Sequence, residues 1–200
     1  MSIYAFQIPQ NDGQFHPLYF DGYFSPEECD QILALYENEE TWAGGVVESD
    51  GSGMDDDAIR RVDINTVHLE QRTKWIYDKI NDLVHSANQT YQFDLVGFME
   101  NMQLLKYTEP QGENLPGGHY NVHADTGPSY LSTRKLTIIV QLTDPSEYEG
   151  CDVEVTAYGH ANIGKCHILI FPSCMLHSVS ELTQGHREAL VVWVNGPPFR

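Results

Sequence analysis

Basic residues are scarce in this chain: 11 Lys and Arg stand against 29 Asp and Glu, a formal charge of -18. A field of that sign repels polyanions, so the expected partners include no nucleic acid and no anionic membrane surface. Cysteine is sparse too. Cys29, Cys151, Cys166 and Cys174 form no CxxC pair and no dense framework, which points to reduced thiols rather than a disulfide scaffold. No stretch approaches the roughly 18 consecutive apolar residues of a membrane span. The opening MSIYAFQIPQ lacks the basic-then-apolar order of a secretory signal. The expected location is therefore the cytoplasm. In that setting the Asn88-Gln89-Thr90 triplet reads as a helix exit, not a glycan acceptor.

What is present suits one globular domain over residues 1–200, with 41% hydrophobic content to build its core. Ser25-Pro26-Glu27-Glu28 reads as a helix start, with Ser25 as cap, Pro26 in the first turn and Glu28 closing a capping box. Cys29, Ile32, Leu33 and Tyr36 then share one face, which predicts a helix over 26–37. A second helix is predicted over roughly 70–87, with Ile76, Ile80, Leu83 and Val84 as its buried stripe. Between them ESDGSGMDDD, residues 48–57, has little to bury and reads as a loop.

From residue 91 the pattern changes to short runs rich in β-branched and aromatic residues, punctuated by Gly, Pro and Asn. FDLVGF, MQLLKY, YNVHAD, KLTIIVQL, CDVEVTAY, CHILIFP, LHSVSEL and EALVVWVN are eight strand candidates. The predicted plan is mainly β: helical support over roughly 20–90 and a sandwich or barrel core over roughly 91–200.

HYNVHAD, residues 119–125, places His123 and Asp125 two positions apart, which on a strand puts both side chains on one face. The pair alone is weak evidence. With nine histidines and fourteen aspartates in the chain, chance supplies about 0.6 such pairs, and His68 with Glu70 and His186 with Glu188 are similar decoys. His177 adds weight, because it follows the apolar strand CHILIFP and a Pro-Ser turn from which a returning strand reaches back to the first pair. Two histidines and one carboxylate form the facial triad of non-haem Fe(II) oxygenases, with coordination positions left open. Arg187 stands ten residues beyond His177. Period-2 counting puts Arg187, Ala189, Val191 and Trp193 on one face of a strand apolar on both sides, hence a central one. A guanidinium held there needs an anion, either one of the chain's own acids or a cosubstrate such as a dicarboxylate.

The order HYNVHAD, RKLTIIVQL, YEGCDVEV and GKCHILIFPSCMLHSVSELTQGHREALVVWVN resembles the 2-oxoglutarate- and Fe(II)-dependent dioxygenases, in particular their prolyl 4-hydroxylase-like branch, over roughly residues 18–200. The resemblance implies a double-stranded β-helix, the jelly roll or cupin-like core. It implies His123, Asp125 and His177 as iron ligands and Arg187 as the partner of the distal 2-oxoglutarate carboxylate. Tyr107 matches a tyrosine that touches the cosubstrate from the barrel wall. Tyr120 matches an aromatic at the pocket, and Arg60 or Arg61 a basic position near the substrate entrance, beside a flap formed by the acidic loop. The implied cofactors are Fe(II), 2-oxoglutarate and O2, with ascorbate a further candidate. The implied reaction hydroxylates an unactivated C–H bond of a prolyl or other residue in a peptide or protein and releases succinate and CO2; a free amino acid or small metabolite is the alternative substrate. Two departures stand out. Gly150-Cys151 replaces the Gly-Gly common in relatives, and Gln141 stands where some relatives carry a tyrosine that helps bind 2-oxoglutarate.

Two other classes compete. A zinc hydrolase also uses two histidines and a carboxylate but gives Arg187 no reason to be inside the barrel. A non-catalytic jelly-roll binding module makes the histidines core residues. Neither accounts for all four site residues appearing in this order.

Overall fold

The computed structural model describes residues 12–47, 53–54, 56–112, 115–161 and 163–198. The N-terminal decapeptide and most of the acidic 48–57 segment lie outside these residues. The first half of the chain supplies β1 (Leu18–Phe20), α1 (Pro26–Ala34), β2 (Trp42–Ala43), β3 (Val46–Val47), β4 (Gly53–Met54), β5 (Arg60–Arg61), β6 (Asp63–Val67) and α2 (Lys74–Tyr91). The second half supplies β7 (Met102–Thr108), β8 (His119–His123), β9 (Arg134–Gln141), β10 (Tyr148–Gly150), β11 (Val153–Val155), β12 (Gly159–His160), β13 (Ile168–Pro172), β14 (His177–Val179) and β15 (Leu182–Asn195).

A major sheet runs β1-β13-β9-β15-β7-β6-β2, with β10 also on β15, and a minor sheet runs β12-β11-β14-β8-β5. Every pairing in these two sheets is antiparallel. This is the mainly β, jelly-roll architecture expected, with β15 central as its apolar faces require.

Alternation along the major sheet divides the core in two. Leu136, Ile138, Val140, Leu190, Val192 and Val194 point to one side, where they meet Ile76, Ile80, Leu83 and Val84 of α2 and Cys29 and Ile32 of α1. Ile139, Ala189, Val191 and Trp193 point to the other and meet Val153, Val155 and Val179 of the minor sheet. Each fully buried aliphatic side chain contributes about 1.5–3 kcal/mol, so the helices are held mainly by this face. Two tyrosines add polar pins from α2: the Tyr91 hydroxyl donates to the Ile170 carbonyl at 2.8 Å and the Tyr77 hydroxyl to that of Val67 at 2.7 Å.

The helix start is as the sequence predicts, since the Ser25 side chain accepts from Glu28 N and the Glu28 carboxylate from Ser25 N. Three boundaries differ. The first helix stops at Ala34 and the second runs 74–91, four residues later at each end than the spacing predicts. Asn88-Gln89-Thr90 thus forms the last turn of α2. FDLVGF is not a strand. Gln92 takes a left-handed φ of 55° and the Asn88 side chain grips both the N–H and the carbonyl of Phe93, so the chain leaves the helix along an irregular path that meets the end of β15 through an isolated bridge at Gly97 and a Val96 N–H bond to the Asn195 carbonyl at 2.8 Å. Within the acidic segment, Gly53–Met54 pairs with Val46–Val47, so that part is a strand pair and not loop alone.

Candidate metal centre

Strand register builds the site. His177 of β14 lies directly opposite His123 of β8, and their imidazole centroids stand 4.2 Å apart. Asp125 lies two residues past the end of β8. Period-2 alternation is therefore not what aims its carboxylate; instead its backbone N–H, and that of Thr126, donate to the Ser173 carbonyl at 2.9 and 3.0 Å. That turn brings Asp125 Oδ1 to 3.7 Å from His123 Nε2 and Oδ2 to 3.5 Å from His177 Nε2. One ligand atom from each of the three residues lies within 4.8 Å of the others, and among the described residues no other such His, Cys, Asp or Glu group forms. His68, His119, His160, His167 and His186 stay outside it.

The hydrogen bonds of the three side chains suit a cation. His123 Nδ1 faces the Asn121 carbonyl at 2.7 Å and His177 Nδ1 the Met175 carbonyl at 3.1 Å. A carbonyl only accepts, so both Nδ1 atoms carry a proton and both Nε2 atoms face Asp125. Asp125 Oδ2 accepts from Thr137 Oγ1 at 2.6 Å, and Thr137 in turn meets Ser173 Oγ at 3.0 Å. Burial pushes the Asp125 carboxyl up, but His177, His123 and Arg134 outweigh it and hold the group well below the usual carboxylate range. Burial pushes His177 down, against Asp125 and with His123, which favours the neutral ring that ligates. Outside this shell, Arg134 donates to the Asp125 carbonyl at 3.3 Å, is paired with Glu100, and lies 3.6 Å from the Trp193 ring centroid. Two imidazoles anchored through Nδ1 and an ionised carboxylate fit one divalent ion with open positions.

Arg187 is 2% exposed, and no carboxylate among the described residues pairs with it. Its Nε donates to Gln141 Oε1 at 2.9 Å, Nη1 lies 3.9 Å from Cys151 Sγ, and Nη2 is buried without a partner. An intramolecular salt bridge is thereby excluded among the described residues, which leaves an external anion as the fitting partner. Tyr107, its cross-strand partner, has its ring centroid 5.4 Å from the Arg187 guanidinium carbon and its hydroxyl pushed up to about 12 by burial. Gln141 is the residue that holds Arg187. Cys151 takes a left-handed φ of 55° directly after Gly150 at 77°. A side chain in that region costs roughly 1–2 kcal/mol, which Cys151 bears and a glycine there would not.

The remaining candidates separate. Tyr120 stacks on His123, centroids 3.4 Å apart and planes 17° from parallel, and the Arg60 guanidinium carbon stands 4.7 Å from the centroid of Tyr120. Arg60 Nε is buried and unpaired. Arg61, one residue on, turns away and donates to the Pro116 carbonyl at 2.6 Å. Thr137 and Tyr148 are not legible as site residues in the sequence, and Gln141 is legible only as a departure from the pattern the resemblance implies. The only available signal was the polar positions 135, 137 and 141 on one face of an otherwise apolar central strand.

A family model described as the 2OG-Fe(II) oxygenase superfamily matches residues 102–195. A PKHD-type hydroxylase of Prochlorococcus marinus is 36% identical over 142 residues, which is 65% of this chain; the match spans 58% of that relative's length. A prolyl-4-hydroxylase of Pseudomonas putida superposes with a TM-score of 0.65 at 14% identity, covering 92% of this chain and 94% of its own. A prolyl hydroxylase from Trichoplax adhaerens, in complex with a hypoxia inducible factor oxygen degradation domain peptide fragment, superposes with a TM-score of 0.67 at 15% identity, covering 90% and 83%. The chain is thus similar in sequence to 2OG-Fe(II) oxygenases over residues 102–195, and similar in fold to the prolyl hydroxylases it superposes on.

Proposed function

We propose that this chain is an Fe(II)- and 2-oxoglutarate-dependent hydroxylase acting on a prolyl or other residue of a peptide or protein. The observation that carries this reading is the pairing of a His123-Asp125-His177 cluster, its Asp125 and His177 buried, with a buried Arg187 that lacks a carboxylate partner among the described residues. In the proposal the three side chains hold Fe(II), and Arg187 binds the distal carboxylate of 2-oxoglutarate beside Tyr107. With O2, the bound iron and cosubstrate supply the oxidising power that hydroxylates an unactivated C–H bond and releases succinate and CO2.

The protein's own tasks are orientation and exclusion of water. The Nδ1 anchors fix both imidazoles, Thr137 and Ser173 fix Asp125, and the apolar side chains between the sheets keep the surroundings dry. Tyr120, stacked on His123 and covered by Arg60, forms the wall against which the substrate lies. The net charge of -18 favours a neutral or basic peptide over an anionic one. Hydrolysis by zinc leaves Arg187 without a task, and a binding module leaves both Arg187 and the cluster without one.

The test is anaerobic purification with metal analysis, followed by turnover with 2-oxoglutarate, O2 and a panel of proline-containing peptides, with and without ascorbate. Iron, succinate and a product heavier by one oxygen atom support the proposal. Tight zinc with no 2-oxoglutarate consumption refutes it.

A further inference from the structure

The cavity that reaches Arg187 has a volume of about 300 Å³ and is lined by Tyr148, Cys151, Val153, Ala161 and Ile163 among others. Its one carboxylate among the described lining residues, Asp152, is solvent-exposed. The hydrogen bonds at its inner end determine one another. Gln141 Nε2 sits 2.8 Å from the Thr143 carbonyl, which only accepts, so the side-chain amide has a single orientation. Its oxygen must then face Arg187 Nε, as found at 2.9 Å. The same Nε2 also donates to the Tyr148 hydroxyl oxygen at 3.2 Å.

The Tyr148 hydroxyl is thereby left with a free hydrogen. A hydroxyl has one hydrogen, and here its oxygen is already accepting. Among the described residues, no hydrogen bond has the Tyr148 hydroxyl as donor. Burial raises the phenol, with Arg187 pulling the other way, so it keeps its proton at neutral pH. Two unused donors therefore share one cavity: the Tyr148 O–H and the orphaned Arg187 Nη2.

The geometry points to Tyr148 as a second ligand of the cosubstrate's distal carboxylate, presented by Gln141 and acting beside Arg187. This inference rests on the hydroxylase reading above. One cation and one neutral donor match the charge and the two oxygens of a carboxylate, whereas a phosphate dianion leaves charge uncompensated. Strand register produces the arrangement: Gln141 of β9 pairs with Ala189 and Tyr148 of β10 with Gly185, so the amide and the phenol stand on either side of Arg187 along β15.

Anaerobic titration calorimetry of the Fe(II)-loaded full chain tests this with two ligands, 2-oxoglutarate and 2-oxopentanoate. The second has the same chain length and 2-oxo acid head but no distal carboxylate. Tyr148→Phe keeps the ring and is expected to weaken 2-oxoglutarate about tenfold, as loss of one hydrogen bond to a charged group does. Gln141→Leu frees both Arg187 and Tyr148 and is expected to weaken it at least as much. Neither variant should shift the weaker affinity for 2-oxopentanoate. Wild-type affinity for 2-oxoglutarate in both variants, or an equal loss for the two ligands, overturns the role of Tyr148. Failure of the wild type itself to bind 2-oxoglutarate overturns the hydroxylase reading instead.

Discussion

Thr137 donates to Asp125 from the neighbouring sheet: its hydroxyl lies 2.6 Å from Asp125 Oδ2, and both residues are buried. The hydrogen bond leaves the other carboxylate lone pairs aimed at the histidines. Thr137→Val keeps the shape and deletes the donor, and loss of such an outer partner typically costs roughly 10–100-fold in metal affinity. Titration of Mn(II) or Fe(II) into the anaerobic protein reads the change, and an affinity equal to wild type removes Thr137 from the site.

Alanine at His123, Asp125 or His177 is expected to abolish iron binding, whereas alanine at His119, His160, His167 or His186 should leave the iron content intact. Metal analysis of the seven purified variants decides this. Stoichiometric iron in any of the first three means that the ligand set is wrong.

Arg187→Met separates function from stability. A buried guanidinium without an acidic partner costs desolvation energy, and an apolar replacement of similar length is often neutral or stabilising by about 1–4 kcal/mol. The thermal midpoint of the ligand-free variant should therefore match or exceed that of wild type while 2-oxoglutarate binding is lost. A large drop in midpoint would show that Arg187 chiefly holds the fold.

Glu28 gives the helix start a pH dependence. Its carboxyl lies below the ordinary value because Lys79 and the Ser25 N–H both favour the ionised form. A lowered folded-state pKa contributes stability above the unfolded-state pKa, and this is lost as pH falls through the folded one. Glu28→Ala should cost about 1 kcal/mol at pH 7 and progressively less as pH drops below the unfolded carboxylate value. Denaturant melts at several pH values check the trend, and a pH-independent cost would assign the loss to side-chain packing rather than to the ionised carboxylate.

Much of this molecule was legible in its sequence because the signals are local. The capping box depends on residues three apart, the stripe of α2 on helical spacing, and the face carrying Arg187, Ala189, Val191 and Trp193 on strand alternation. The motif order pointed to the jelly roll and to the metal cluster. FDLVGF has the composition of a strand, but the side-chain hydrogen bonds of one residue, Asn88, redirect the chain there.

By itself the sequence determined which side chains were available for the chemistry and which face of each element was apolar, since both follow from residue type and short-range periodicity. The tertiary structure alone decided which of them meet. The register of β14 on β8 sets His177 against His123, the turn gripped by Ser173 aims Asp125, and Gln141 rather than an acid stands beside Arg187. Those choices rest on hydrogen bonds between residues far apart in the chain, and no local pattern encodes which distant partner satisfies a buried polar group.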